Sequence, residues 1–110
     1  LINNSSGCLI QNITIGNAKK AVSTFFNFKD TQKEFKPNLI KNVKGSNCDI
    51  VLSIYSKFNI IRNIKGEKSR RIIALMNSNA AHNIISAPEA DISTPGKSPI
   101  NMLMKLNTIE

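Results

Sequence analysis

Apolar residues in this chain come in short β-branched runs, each broken by glycine, asparagine, serine or charged residues. That punctuation favours strands over helices. CLIQNITIG, Cys8 to Gly16, reads as a strand ending on its glycine. A strand over 38–43 closes on the turn Lys44-Gly45-Ser46-Asn47. CDIVLSIYS, Cys48 to Ser56, is the clearest strand, with Ile50, Leu52 and Ile54 on one face and Asp49, Val51, Ser53 and Tyr55 on the other. FNIIRNIK and RRIIALMN flank Gly66-Glu67-Lys68-Ser69, the pattern of a β-hairpin with a loop of four or five residues. Another short strand is read over 80–86. The segment 87–99 is a Pro-rich loop, and a last strand follows over 99–107. It alternates Ile100, Met102, Met104 and Leu106 against Asn101, Leu103, Lys105 and Asn107.

Two readings stay open for 17–28. Asn17 caps a short helix carrying Ala18, Val22, Phe25 and Phe26 on one face, or VSTFFNF is a strand. Lys29 to Pro37 is polar and reads as a loop. No repeat and no heptad is read. The expectation is all-β: a single domain over 1–110, an antiparallel β-sandwich or small barrel with at most one short helix. Phe25, Phe28, Phe58 and the isoleucines and leucines are its expected core.

The net charge of +8, with a pI near 9.8, makes nucleic acid, acidic glycans and anionic membrane the partners to consider. Lysine-rich faces also keep a β-domain soluble and guard its edges. The expected anion-binding patch is Lys57, Arg62, Lys65, Lys68, Arg70 and Arg71, on the two hairpin strands and their turn. With no tryptophan and Tyr55 as the single tyrosine, there is little material for stacking bases. No apolar run approaches the roughly 18 residues of a membrane helix. A start at Leu1 rather than methionine reads as a processed product or a fragment.

Motifs of catalysis are not found. Gly96-Lys97-Ser98 ends like a phosphate loop, but Asp91 stands where the first glycine belongs. Pro99 follows where a helix should open. His82, the one histidine, sits in AAHNII with no local acid to orient it, and reads as a structural or surface residue. The pairs Asp30/Glu34 and Glu89/Asp91 lie in loop-like sequence, as solvated acids do. No cofactor or metal site is expected: two cysteines and one histidine cannot complete a four-ligand zinc site. Cys8 and Cys48 read either as one disulfide of an exported protein or as two free thiols. Their places beside strand-like runs favour the disulfide, which would contribute roughly 3–4 kcal/mol by closing a long loop. Asn3, Asn4 and Asn12 begin glycosylation sequons, which matter in a eukaryotic secretory setting.

The arrangement resembles subunits of chaperone–usher fimbriae, the pilins. Cys8 and Cys48 have the pilin cysteine spacing. NITIG resembles the strand and glycine after the first cysteine, FKPNLIKNVKGSNC the strand ending on the second, and STPGKSPINMLMKLN the last loop and strand. The resemblance implies an incomplete immunoglobulin-like sandwich with a Cys8–Cys48 disulfide. It also implies a groove faced by Ile100, Met102, Met104 and Leu106, which a neighbouring subunit fills by strand addition. SAPEADISTPGKSPINMLMKLNT is similar to the N-terminal arm of picornavirus-like capsid proteins. Both resemblances imply a non-enzymatic assembly subunit: secreted, periplasmic or at the cell surface in one case, in a virion in the other. The alternative is a basic nucleic-acid-associated protein, such as a capsid component or a ribonuclease-like toxin domain.

Overall fold

The computed structural model describes residues 2–3, 7–25, 36–96 and 99–110. Most of the stretch from Lys29 to Pro37 lies outside them, with Phe26, Phe28, Asp30/Glu34, Lys97, Ser98 and the sequon residue Asn4. In chain order the elements are β1 (Ile2–Asn3), β2 (Leu9–Gly16), β3 (Lys20–Phe25), β4 (Asn38–Ser46), β5 (Ile50–Tyr55), β6 (Asn59–Glu67), β7 (Arg71–Leu75), β8 (Ile84–Ser86), β9 (Ile92–Ser93), α1 (Ile100–Leu106) and β10 (Thr108–Ile109). The odd strands make one five-stranded sheet and the even strands another. All the pairings are parallel.

The expected antiparallel sandwich is therefore not the fold. The chain winds as a parallel β-solenoid, each strand pairing with the equivalent strand one coil later. Strands β6 and β7, expected as a hairpin, lie in different sheets. The coil length varies: Asn12 stacks on Asn42, 30 residues on, Asn42 on Asn63, 21 on, and Asn59 on Asn83, 24 on. Beneath this lies a repeat that the sequence reading passed over. NLIKNVKG, Asn38 to Gly45, returns as NIIRNIKG, Asn59 to Gly66, in register along β4 and β6.

Corners form where single residues take the left-handed backbone conformation, which asparagine tolerates better than most side chains. Asn12, Asn42 and Asn63 make one corner column, with φ of 57, 55 and 53°. Asn17, Asn47 and Lys68 make a second, with φ of 58, 56 and 48°. Phe58 and His82 stand at a third, their rings stacked at 5.6 Å. Between corners the strands bury aliphatic columns. Ile40, Ile61 and Ile85 come from the even strands, and Leu52, Ile54, Ile73 and Leu75 from the odd ones. Phe25 and Phe58, expected in this core, are 43% and 41% exposed. At Gly45 the walls meet so closely that a Cβ would lie 2.6 Å from a Val51 methyl.

The open question at 17–28 resolves as strand β3 over its described part. The segment 87–99, expected as a loop, contains the short strand β9. The last expected strand is instead the helix α1. Leu103 is fully buried and Met104 half-buried on one side, while Ile100, Met102 and Leu106 are exposed. Unlike the true strands, its sequence INMLMKL is dominated by leucine, methionine and lysine, good helix formers. Pro99 provides the extended residue before its first turn, and Lys105 complements its last.

The expected disulfide is also absent: Cys8 and Cys48 are free thiols. The Cys8 N–H donates to Asn38 Oδ1 at 2.9 Å, at the start of β4. Cys48 lies beyond the far end of β4 and past two corners. Its sulfur lies against Ile15 O at the far end of β2; with the corner at Asn12 between them, strand rise leaves roughly 15 Å, against the ~7 Å between Cα atoms that a disulfide spans. The sandwich and disulfide implied by the fimbrial resemblance thus both give way, and the adhesion role attached to them goes no further.

Candidate functional site at the open end of the solenoid

The two ends of the coil are finished differently. At one end the odd sheet finishes on the two-residue β1, and among the described residues β2 is the outermost strand of the even sheet, paired with β4 on one side alone. It runs for eight residues, LIQNITIG, without a charge or a proline. Lysine, proline and shortness are the usual means of blunting a sheet edge, and β2 has none of them. Its inward side chains Ile10, Ile13 and Ile15 are half-buried, whereas one coil inward Ile40 and Val43 are 0% and 1% exposed. Leu9, facing outward, is 56% exposed. Among the described residues, this end therefore offers both unpaired backbone and the end of the apolar core.

Side-chain amides run along the corners and have a direction. Asn63 Nδ2 donates to Asn42 Oδ1 at 2.8 Å, and Asn42 Nδ2 to Asn12 Oδ1 at 2.9 Å. At the next corner Asn47 Nδ2 donates to Asn17 Oδ1 at 2.8 Å. Each ladder points towards β2 and ends on an asparagine. Among the described residues, neither Asn12 Nδ2 nor Asn17 Nδ2 has an acceptor.

The other end closes on itself. A buried ladder runs the opposite way, from Asn38 to Asn59 at 3.2 Å, to Asn83 at 2.8 Å, to Asn107 at 2.9 Å. Asn107 Nδ2 then donates to Ala80 O at 2.8 Å and to Leu103 O, in α1, at 2.7 Å. The outermost strands here, β9 and β10, have two residues each. No buried side-chain polar atom lacks a partner among the described residues.

The six cations expected as one patch are spread around the coil. Arg62 is exposed on β6, in register with Lys41 on β4. Lys65 is in register with Lys44 and lies 3.9 Å from Glu89, while Lys44 lies 2.9 Å from Glu67. These four charges surround a cleft of about 400 Å³, and as exposed pairs they contribute little to stability. Lys68 stands at the second corner, Arg70 is 3.7 Å from Asp49, and Arg71 opens β7. Lys57 lies in the turn between β5 and β6. His82 stacks on Phe58 beside a small apolar pocket lined by Pro37, Ile60 and Ile84. The four residues expected to face a partner groove lie on α1, at the closed end.

The edge of β2 was not singled out from the sequence, although LIQNITIG stands out as the long strand without a charge. Among the described residues no three His, Cys, Asp or Glu side chains gather as a metal site. No described helix is long and apolar enough to cross a membrane. No family model matches the chain, and neither a curated protein nor a solved structure does.

Proposed function

We propose that this chain is a non-enzymatic assembly module that takes up a further parallel strand along the open edge of β2. What supports the reading is one observation: an eight-residue edge strand with no charge and no proline, lying over incompletely covered isoleucines. Solenoids need their terminal coils covered, because each coil buries its apolar face only against a neighbour. In strand addition the backbone bonds supply affinity, and alternate side chains entering pockets supply specificity. Here the pockets are the gaps over Ile10, Ile13 and Ile15.

A fluorescent peptide of residues 38–50, NLIKNVKGSNCDI, tests this directly. It is one corner-to-corner piece of the chain's own repeat. Saturable binding to the native chain is expected, with loss of binding in an Ile13→Lys variant that places a charge at the edge. Equal binding by the variant, or none by the native chain, would overturn the proposal.

A second reading rests on Lys41 and Arg62. They lie side by side on adjacent strands, about 4.8 Å apart at the backbone, and neither has an acidic partner among the described residues. The pair favours an acidic partner on the outer face of the even-numbered sheet. Its affinity would fall steeply with salt if the partner were a nucleic acid, and binding that persisted unchanged in high salt would count against it.

A further inference from the structure

The open edge does more than offer backbone. We infer that the amides of Asn12 and Asn17 select the strand that docks there. The partner must run parallel to β2 and carry asparagine five residues apart, as Asn42 and Asn47 do. Each of its asparagines must stand at a left-handed corner, its carbonyl oxygen accepting from the Nδ2 group of Asn12 or Asn17. This deepens the strand-addition proposal and rests on it.

Three observations carry the inference. First, the spacing is repeated within the chain: Asn12 and Asn17 stack on Asn42 and Asn47, each pair bonded amide to amide. A further coil of the same kind would continue both ladders without rearranging either. Second, the ladders are polar. Both place Oδ1 of the outermost asparagine inward, on the bond already made, and leave Nδ2 for the next coil. A second copy approaching edge to edge through its own β2 would bring donors against donors, so a two-fold symmetric dimer through this edge leaves the amides unmatched. Third, the closed end cannot serve as the partner. The first-corner ladder stops at Asn63, because Ser86 ends β8 opposite Arg62 and Ala87 follows. The second-corner ladder stops at Lys68, which has no carbonyl oxygen in its side chain. The occupant is therefore a strand of the Asn-x4-Asn repeat type and not the tail of a second copy.

Corner geometry adds to the selectivity. A partner residue at φ near +55° is strained for most side chains, and glycine, asparagine and aspartate enter the corner most readily. Glycine fits the backbone but offers no amide, which separates corner shape from amide recognition.

The experiment titrates three labelled peptides of residues 38–50 against the full chain: the native repeat, an Asn42→Gly/Asn47→Gly peptide and an Asn42→Leu/Asn47→Leu peptide. It also titrates the native peptide against an Asn12→Asp/Asn17→Asp chain. Aspartate keeps the inward acceptor oxygen and removes the outward donor. Two lost hydrogen bonds predict a roughly five- to thirty-fold weaker glycine peptide, a weaker leucine peptide still, and a similar loss for the aspartate chain. If the native and glycine peptides bind alike and the aspartate chain is unaffected, strand addition stands and amide selection is overturned. If no peptide binds, the strand-addition reading fails and this inference fails with it.

Discussion

The two ends of this solenoid are made from the same residue type put to opposite uses. At the β2 end, asparagine amides stand on exposed corners and, among the described residues, end on donors without an acceptor. At the α1 end they run through the core and end on backbone carbonyls of Ala80 and Leu103. A buried amide must be fully bonded, since an unpaired buried polar group costs about 1–3 kcal/mol. An exposed one can be left to water at little cost. The closed end therefore depends on its amides for stability, and the open end leaves its outermost donors to water at little cost.

The largest expected effect comes from opening the closed end. Asn107→Ala removes the bonds that tie the buried ladder to Leu103 in α1 and to Ala80, and strips the acceptor from the Asn83 N–H and amide. A loss of about 2–4 kcal/mol is expected in denaturant unfolding. Asn12→Ala at the open end should cost much less, about 1 kcal/mol, mostly for placing alanine at a left-handed corner. Equal costs at the two ends would break the contrast.

Between the ends, Gly45→Ala drives a methyl into Val51 and should destabilise by about 1–3 kcal/mol through overpacking. Gly16→Ala, where the nearest atom to a Cβ is 3.8 Å away, should be close to neutral by the same assay. The smallest effect concerns the thiols. Cys8 is half-buried at the open end and Cys48 buried at 3% exposure. A maleimide should label Cys8 in the native chain and Cys48 only on unfolding, with or without reductant. A need for reductant at either site would restore the disulfide.

Several strands were legible in the sequence, but their pairing was not. CLIQNITIG, the region from Asn38, CDIVLSIYS and the FNIIRNIK run all became strands close to where β-branched residues and turn signals put them. Their arrangement was misjudged because neighbours in sequence usually pair, and a glycine-containing turn between two apolar runs looks like a hairpin. A solenoid breaks that habit by sending successive strands to different sheets. Two signals pointed to it. In β5, five of the six residues are buried, and its near-continuous apolar run suits a parallel strand better than an alternating one. The returning NLIKNVKG and NIIRNIKG was the other, masked by coil lengths that change from 30 to 21 residues.

The site was less legible than the fold. Asn12, Asn17, Asn42 and Asn47 read as turn residues and sequons, because a ladder exists only once the coils are stacked. The basic hairpin attracted attention as a cluster in sequence, and the coil distributes it around three corners. The alternation in INMLMKL suggested a strand, yet Ile100, Leu103, Met104 and Asn107 also keep helical spacing, and burial of Leu103 against the core favours that one.

Hydrogen exchange along the native chain tests the difference between the ends most directly. The amides of β2 should exchange faster than those of β4 and β6, and should slow when the peptide of residues 38–50 is added, while β8 and β10 stay unchanged. Protection of β2 equal to that of β4 without peptide, or peptide protection appearing at β9 and β10 instead, would contradict the account.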